Sequence, residues 1–232
     1  MKSYALFGAI AVALTPGIAR AVVIDYEDLS EGFLGSTFTH QGVTYRDVNN
    51  VSGFYADGAP FTPGEPGTDS IIENATLFYA DFPAYGSPIN SMTFGNAYVT
   101  GDNLSIGALA SVFMDLATQA DSASLDIAYY ENGPWGGIQY RFDALLNGQV
   151  VASDSFVIAD GGGRDNAAIA NLAVSGATFD SLHLYAMKSG SYTVPRGMID
   201  NLTYAPVPEP ATFAALGLGA AALATRRRNR AK

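Results

Sequence analysis

Asn147-Gly148 stands between two runs of alternating character, Gln139 to Leu146 before it and Gln149-Val150-Val151 after it. Tyr140 and Phe142 fall on one side of the first run. A two-residue loop joins antiparallel strands best when both residues take positive φ, a conformation that Asn and Gly tolerate. The pair therefore predicts a tight β-hairpin, and a chain committed to a hairpin here needs further strands to cover its apolar face. The surrounding sequence supplies them. Val22, Ile24 and Tyr26 alternate with Val23, Asp25 and Glu27. Val43-Thr44-Tyr45 follows Gly42, and further candidates run from Ser91 to Thr100, Ser111 to Leu116, Leu125 to Tyr130, Ser181 to Met187 and Met198 to Tyr204. A period of two residues is that of half-buried strands.

Strands at this spacing, with no convincing amphipathic helix, predict an all-β fold, an antiparallel β-sandwich of jelly-roll type rather than an immunoglobulin-like one. Of the 232 residues, 48% are apolar, enough for a sizeable core. The rhythm lapses between Tyr55 and Pro88, where five prolines and several glycines predict a long loop holding one short strand, Thr76 to Tyr79. The chain has no Cys, which excludes disulfides and thiolate metal sites.

Charge divides the chain into a body and two ends. Between Val22 and Val207 lie only Arg46, Arg141, Arg164, Lys188 and Arg196 as basic residues, against every carboxylate except Glu209. With a net charge of −10, the chain repels phosphate backbones, so nucleic acid is excluded as a partner. At the N-terminus, Lys2, the apolar run Leu6 to Leu14 and Ala19-Arg20-Ala21 occur in the order of a secretory signal peptide with its cleavage site, predicting a leader over residues 1–21 and export across the inner membrane. At the C-terminus, Pro206, Pro208 and Pro210 forbid a helix or central strand. Ala211 to Thr225 is uncharged, and as a single helix would reach about 22 Å, a thin membrane span. Arg226, Arg227, Arg228, Arg230 and Lys232 follow and would hold the end on the cytoplasmic side. The expected organisation is thus a leader at 1–21, a β-sandwich at 22–205 and a tail at 206–232.

The order of Pro208-Glu209-Pro210, an apolar helix and an Arg cluster resembles the PEP-CTERM sorting signal of Gram-negative bacteria. That resemblance implies recognition by an exosortase, a membrane-embedded transpeptidase-like enzyme, at Pro208, Glu209 and Pro210, with Arg226, Arg227 and Arg228 as the retaining cluster. Signal peptidase would be the other processing partner, and contact with the inner membrane would be transient. The destination implied is the cell surface or extracellular matrix. The expected role there is structural or adhesive; the alternatives are a secreted carbohydrate-binding module using the loop aromatics and, after it, a glycosidase-like enzyme using two carboxylates. The opening VIDYEDL and closing MIDNLTYA resemble first and last strands of secreted jelly-roll domains, including calcium-binding carbohydrate-binding modules.

Three groups of residues merit attention for chemistry. Asp200 shares an alternating face with Met198, Leu202 and Tyr204, and an ionised group at a core edge needs a cation or several N–H donors. The resemblance to carbohydrate-binding modules implies that Asp25, Glu27 and Asp200 could share a structural calcium, the only cofactor expected; N–H capping of Asp200 is the simpler reading. Tyr130, Trp135 and Tyr140 cluster around Asn132-Gly133-Pro134, and Tyr55, Phe61 and Tyr85 lie in the long loop; exposed rings of this kind stack on polysaccharide, whereas buried ones build the core. Asp102-Asn103, Asp165-Asn166 and Gly161 to Arg164 read as turns. The two histidines, His40 and His183, have no motif-defined nucleophile near them in sequence, and no G-x-S-x-G or H-E-x-x-H occurs, so no enzyme is expected.

Overall fold

The computed structural model describes residues 20–74, 90–95, 109–131, 135–159 and 166–207. They belong to one compact unit, Arg20–Val207. The expected leader, except its last two residues, and the expected C-terminal helix lie outside the described residues. Fourteen strands are described: β1 (Val22–Ile24), β2 (Gly32–Gly35), β3 (Phe38–His40), β4 (Val43–Arg46), β5 (Gly53–Phe54), β6 (Pro60–Phe61), β7 (Asp69–Asn74), β8 (Asn90–Gly95), β9 (Ser111–Glu131), β10 (Gln139–Leu146), β11 (Gln149–Val157), β12 (Asn166–Lys188), β13 (Ser191–Thr193) and β14 (Gly197–Pro206).

The two longest strands, β9 and β12, are the spine. They run antiparallel over nearly their whole length, with register shifts between Ser175 and Phe179 and again between Phe179 and Ser181. Gly176, at φ +89°, takes a backbone conformation that other residues rarely adopt, and it sits where β12 leaves regular pairing. On one side of this irregularity, Asn166–Ser175 pairs with Ser122–Glu131, and β14, β8, β7 and β2 extend that half in order, with β1 beside β14. On the other side, the later part of β12 pairs with the earlier part of β9; β4 and β3 extend from β9, and β10 and β11 from β12. The fourteen strands form one continuous sheet whose two halves, or layers, share their longest strands and contribute to one core. Inward side chains change phase along β9 accordingly. Val112 and Met114 are buried in the first half, and Ala123, Leu125 and Ile127 in the second, all within one core cluster. An extra residue in a strand moves every later side chain to the opposite face, and that keeps both halves pointing at the same core.

The predicted hairpin is present. Asn147 and Gly148 take φ of 52° and 76° between β10 and β11. The long loop expected from Tyr55 to Pro88 is partly wrong: β6 and the buried strand β7 lie inside it, and Ile71 and Ile72 are fully buried. Asp-Ser-Ile-Ile-Glu-Asn lacks alternation because both faces of β7 are covered, which erases the period that marks a half-exposed strand. The strand expected at Thr76 to Tyr79 lies outside the described residues.

Candidate functional site

The first and last strands pair, Ile24 opposite Leu202, and this brings Asp25 and Glu27 towards the middle of β14. There the structure departs from simple alternation. Asn201 has φ +50°, and pairing with β9 passes from Asp200–Asp126 to Thr203–Ser124, so one extra residue bulges out of β14. Ile199 and Leu202 therefore both enter the core, and Asp200 does not share the face of Leu202 and Tyr204, contrary to the alternation read from sequence. Asp200 is fully buried, and its Oδ1 accepts the N–H of Asn201 at 2.7 Å. The left-handed backbone of Asn201 also delivers its side-chain amide to Asp126 Oδ2 at 3.0 Å, and Asn171 donates to the other oxygen at 2.9 Å.

Asp25 and Glu27 lie in the turn after β1 rather than on its polar face, because β1 ends at Ile24 and Tyr26 turns at φ +59° to bury its ring. Asp25 Oδ1 accepts the Glu27 N–H at 3.3 Å, and Glu27 Oε1 accepts the Asn90 N–H at 2.6 Å. Among the described residues, no three His, Asp or Glu side chains gather so as to hold a metal ion. The pairing of β1 with β14 thus makes Asp25, Glu27 and Asp200 neighbours in the fold, while their carboxylates cap backbone N–H groups instead of converging on one point.

The aromatic cluster divides differently from expectation. Tyr140 is fully buried, and its hydroxyl donates to Arg196 O at 3.3 Å, so it is a core residue and offers no face to a sugar. Its position on the inward side of β10, with Phe142, is the reason. Trp135 is partly buried and packs against the same core. The side chain of Tyr130 and all of Tyr85 lie outside the described residues, as do Asp102-Asn103 and Gly161 to Arg164.

A polar group that sequence spacing did not reveal lies on the outer side of the second layer. His183 Nε2 is 2.7 Å from Ser111 Oγ, and Asp143 is directly opposite His183 in the β10–β12 pairing. Asp143 accepts from the Tyr185 hydroxyl at 2.8 Å and from Arg141 at 3.4 Å. The imidazole is sandwiched between Phe113, with centroids 3.9 Å apart, and Tyr185, at 4.4 Å. Arg46 lies over the far side of Phe113 and forms a two-pronged ion pair with Asp115 at 2.6 and 3.1 Å. Burial lowers the His183 pKa to about 4, against the opposing pull of Asp143 and with a small push from Arg46. Ser111 is fully buried, and its hydrogen bond with His183 joins β9 to β12. His40 sits 3.1 Å from Asp28, away from this group.

The body closes at its last residues. Tyr204 is the final member of the core, β14 ends at Pro206, and the Val207 N–H donates to Gln119 O at 2.8 Å. Residues 206–228 match the family description "PEP-CTERM protein-sorting motif". The chain carries a PEP-CTERM sorting signal. Such a signal marks an exported protein for exosortase processing and for a surface or extracellular destination. Among the described residues, no helix is long and apolar enough to cross a membrane; Ala211 to Thr225 is not among them. No curated protein matches the chain. Among solved structures the chain is similar to the K2 cleaved adhesin domain of Lys-gingipain, with a TM-score of 0.45 and 14% identity over 81% of this chain and 98% of that one. It is also similar to the K1 cleaved adhesin domain of Lys-gingipain from Porphyromonas gingivalis W83, with a TM-score of 0.42 and 8% identity over 81% of this chain and 99% of that one.

Proposed function

We propose that the protein is a jelly-roll-like β-sandwich, exported behind a cleaved leader, held briefly in the inner membrane by its tail, and cut there by an exosortase. Its destination is the cell surface or the exopolysaccharide matrix, where its role is structural or adhesive rather than catalytic. The carrying observation is that the sorting motif begins at residue 206, where the last strand ends. Cleavage at Pro208-Glu209-Pro210 leaves every described core residue and every described strand in the released body. The burial of Ser111 and His183 supports a non-catalytic role.

Mass spectrometry of the protein isolated from its own cells tests this. The expected mature species begins at Val22 and ends near Pro208 to Pro210. A population that retains Arg226, Arg227 and Arg228 would reduce the tail to a simple anchor and refute exosortase processing.

A further inference from the structure

A pocket of about 360 Å³ opens between two turns at the margin of the sandwich. Its construction follows from short-range constraints. β12 reverses into β13 through Ser189-Gly190, with φ of 52° and 82°. β13 then pairs in parallel with β5, Tyr192 beside Gly53 and Thr193 beside Phe54. Only glycine fits at residue 53, since a Cβ there would lie 2.1 Å from the Tyr192 carbonyl oxygen. After β5 the chain turns at once. The Gly58 N–H donates to Tyr55 O at 2.9 Å, and the Tyr55 N–H to Ala59 O at 2.8 Å. These two turns bring Phe54 and Tyr55 to the same cavity as Lys188, Ser189, Tyr192 and Thr193.

The rings are held from behind. Tyr55 and Tyr192 pack against a small cluster of Phe61, Ala110 and Val194. Tyr55 lies 5.3 Å from Phe61 between ring centroids, and Tyr192 lies 5.7 Å from Tyr185. Phe54, in contrast, is 49% exposed, an apolar ring left open to solvent at the pocket. Ser189, Ser191, Tyr192 and Thr193 bring hydroxyl-bearing side chains to the pocket lining. Fixed aromatic surface combined with hydroxyl and ammonium donors suits a molecule with an apolar face and a polar edge. A pyranose ring has that form, and the volume is in the range of small-ligand sites.

We propose that this pocket binds a neutral pyranose unit of an extracellular polysaccharide. Neutrality follows from charge: Lys188 lines the pocket, but Asp57 sits in the facing turn, and the chain as a whole carries −10, which disfavours polyanions. The proposal rests on the exported, matrix-bound reading only for the source of the sugar. Binding is measured on purified protein, whereas that reading is tested by the mature termini, so either fails without the other.

The test is calorimetric titration of the full chain, solubilised in a non-ionic detergent without sugar groups, with neutral hexasaccharides of glucan, mannan, xylan and galactan, and with an alginate hexasaccharide as the anionic comparison. At least one neutral oligomer is expected to bind more tightly than about 1 mM. Phe54→Ala should weaken that binding by about tenfold, the loss of one stacking ring, without changing the melting temperature. Tyr192→Ala should weaken binding similarly, with some loss of melting temperature because its ring also packs on the Phe61 cluster. Phe33→Ala, which removes a ring of equal exposure on β2, should leave affinity unchanged. Absence of binding by all four neutral oligomers, binding of alginate alone, or an affinity indifferent to Phe54→Ala would overturn the proposal.

Discussion

Acidification from pH 7.5 to 5 should destabilise this protein through His183 in particular. The imidazole is 8% exposed, stacked between two rings, and accepts or donates one hydrogen bond with Ser111. Burial lowers its pKa from 6.5 to about 4. Asp143 on β10 opposes the shift and Arg46 on β4 adds to it, but neither outweighs desolvation. The folded protein thus favours the neutral ring, and the unfolded chain takes up a proton first. Stability is complete above pH 6.5 and drains as pH falls from there towards 4. At pH 5 the linkage amounts to about 2 kcal/mol. For a body of this size that corresponds to a fall in melting temperature of about 4–8 °C. Thermal and urea denaturation of the parent and of His183→Gln, at both pH values, isolates the effect. Gln keeps a hydrogen-bonding group near Ser111 but does not titrate. His40 and all carboxylates are common to both proteins and cancel in the difference. The variant should lose about 2 kcal/mol less than the parent between the two pH values. Equal losses in the two proteins, or an NMR titration that places the His183 midpoint near 6.5, would refute the argument from burial.

Two further outcomes follow from the core and from the carboxylates. Tyr26 and Tyr45 are fully buried and their hydroxyls bond each other at 2.8 Å, with burial pushing the Tyr45 pKa well above its ordinary value. Tyr45→Phe breaks this hydrogen bond and should cost about 1–3 kcal/mol in urea denaturation, while Tyr26→Phe combined with Tyr45→Phe should cost less than the sum of the two single changes; simple additivity would disprove the coupling. Because Asp25, Glu27 and Asp200 each cap a backbone N–H and do not converge, the melting temperature should be the same in calcium and in chelator, and a rise of several degrees with calcium would show that the three carboxylates rearrange around an ion.

Much of the architecture could be read from local signals. Asn147-Gly148 specifies its own hairpin because the positive φ of both residues is a property of those residues. The strands Gln139 to Leu146 and Val43 to Tyr45 announce themselves because one face of each meets the core and the other is less buried. The tail is legible for the same reason: proline, apolar run and arginine cluster act through their own chemistry, in order, with no distant partner required. The sequence by itself therefore determined the all-β class, the principal hairpin and the sorting signal.

What only the tertiary structure decided depends on partners far away in the chain. β7 was hidden because both of its faces are covered, so no alternation survived. The face of Asp200 could not be read because the bulge at Asn201 is stabilised by Asp126, 75 residues away. Whether Tyr140 stacks on a ligand or builds the core was decided only by its burial in the folded sheet. Ser111 meets His183 across 72 residues, and the Phe54–Tyr192 pocket exists only because β5 and β13 lie side by side in parallel. Backbone sterics and side-chain period act over a few residues and are written where they act, whereas burial and pairing are fixed by which surfaces meet when the whole sheet folds onto itself.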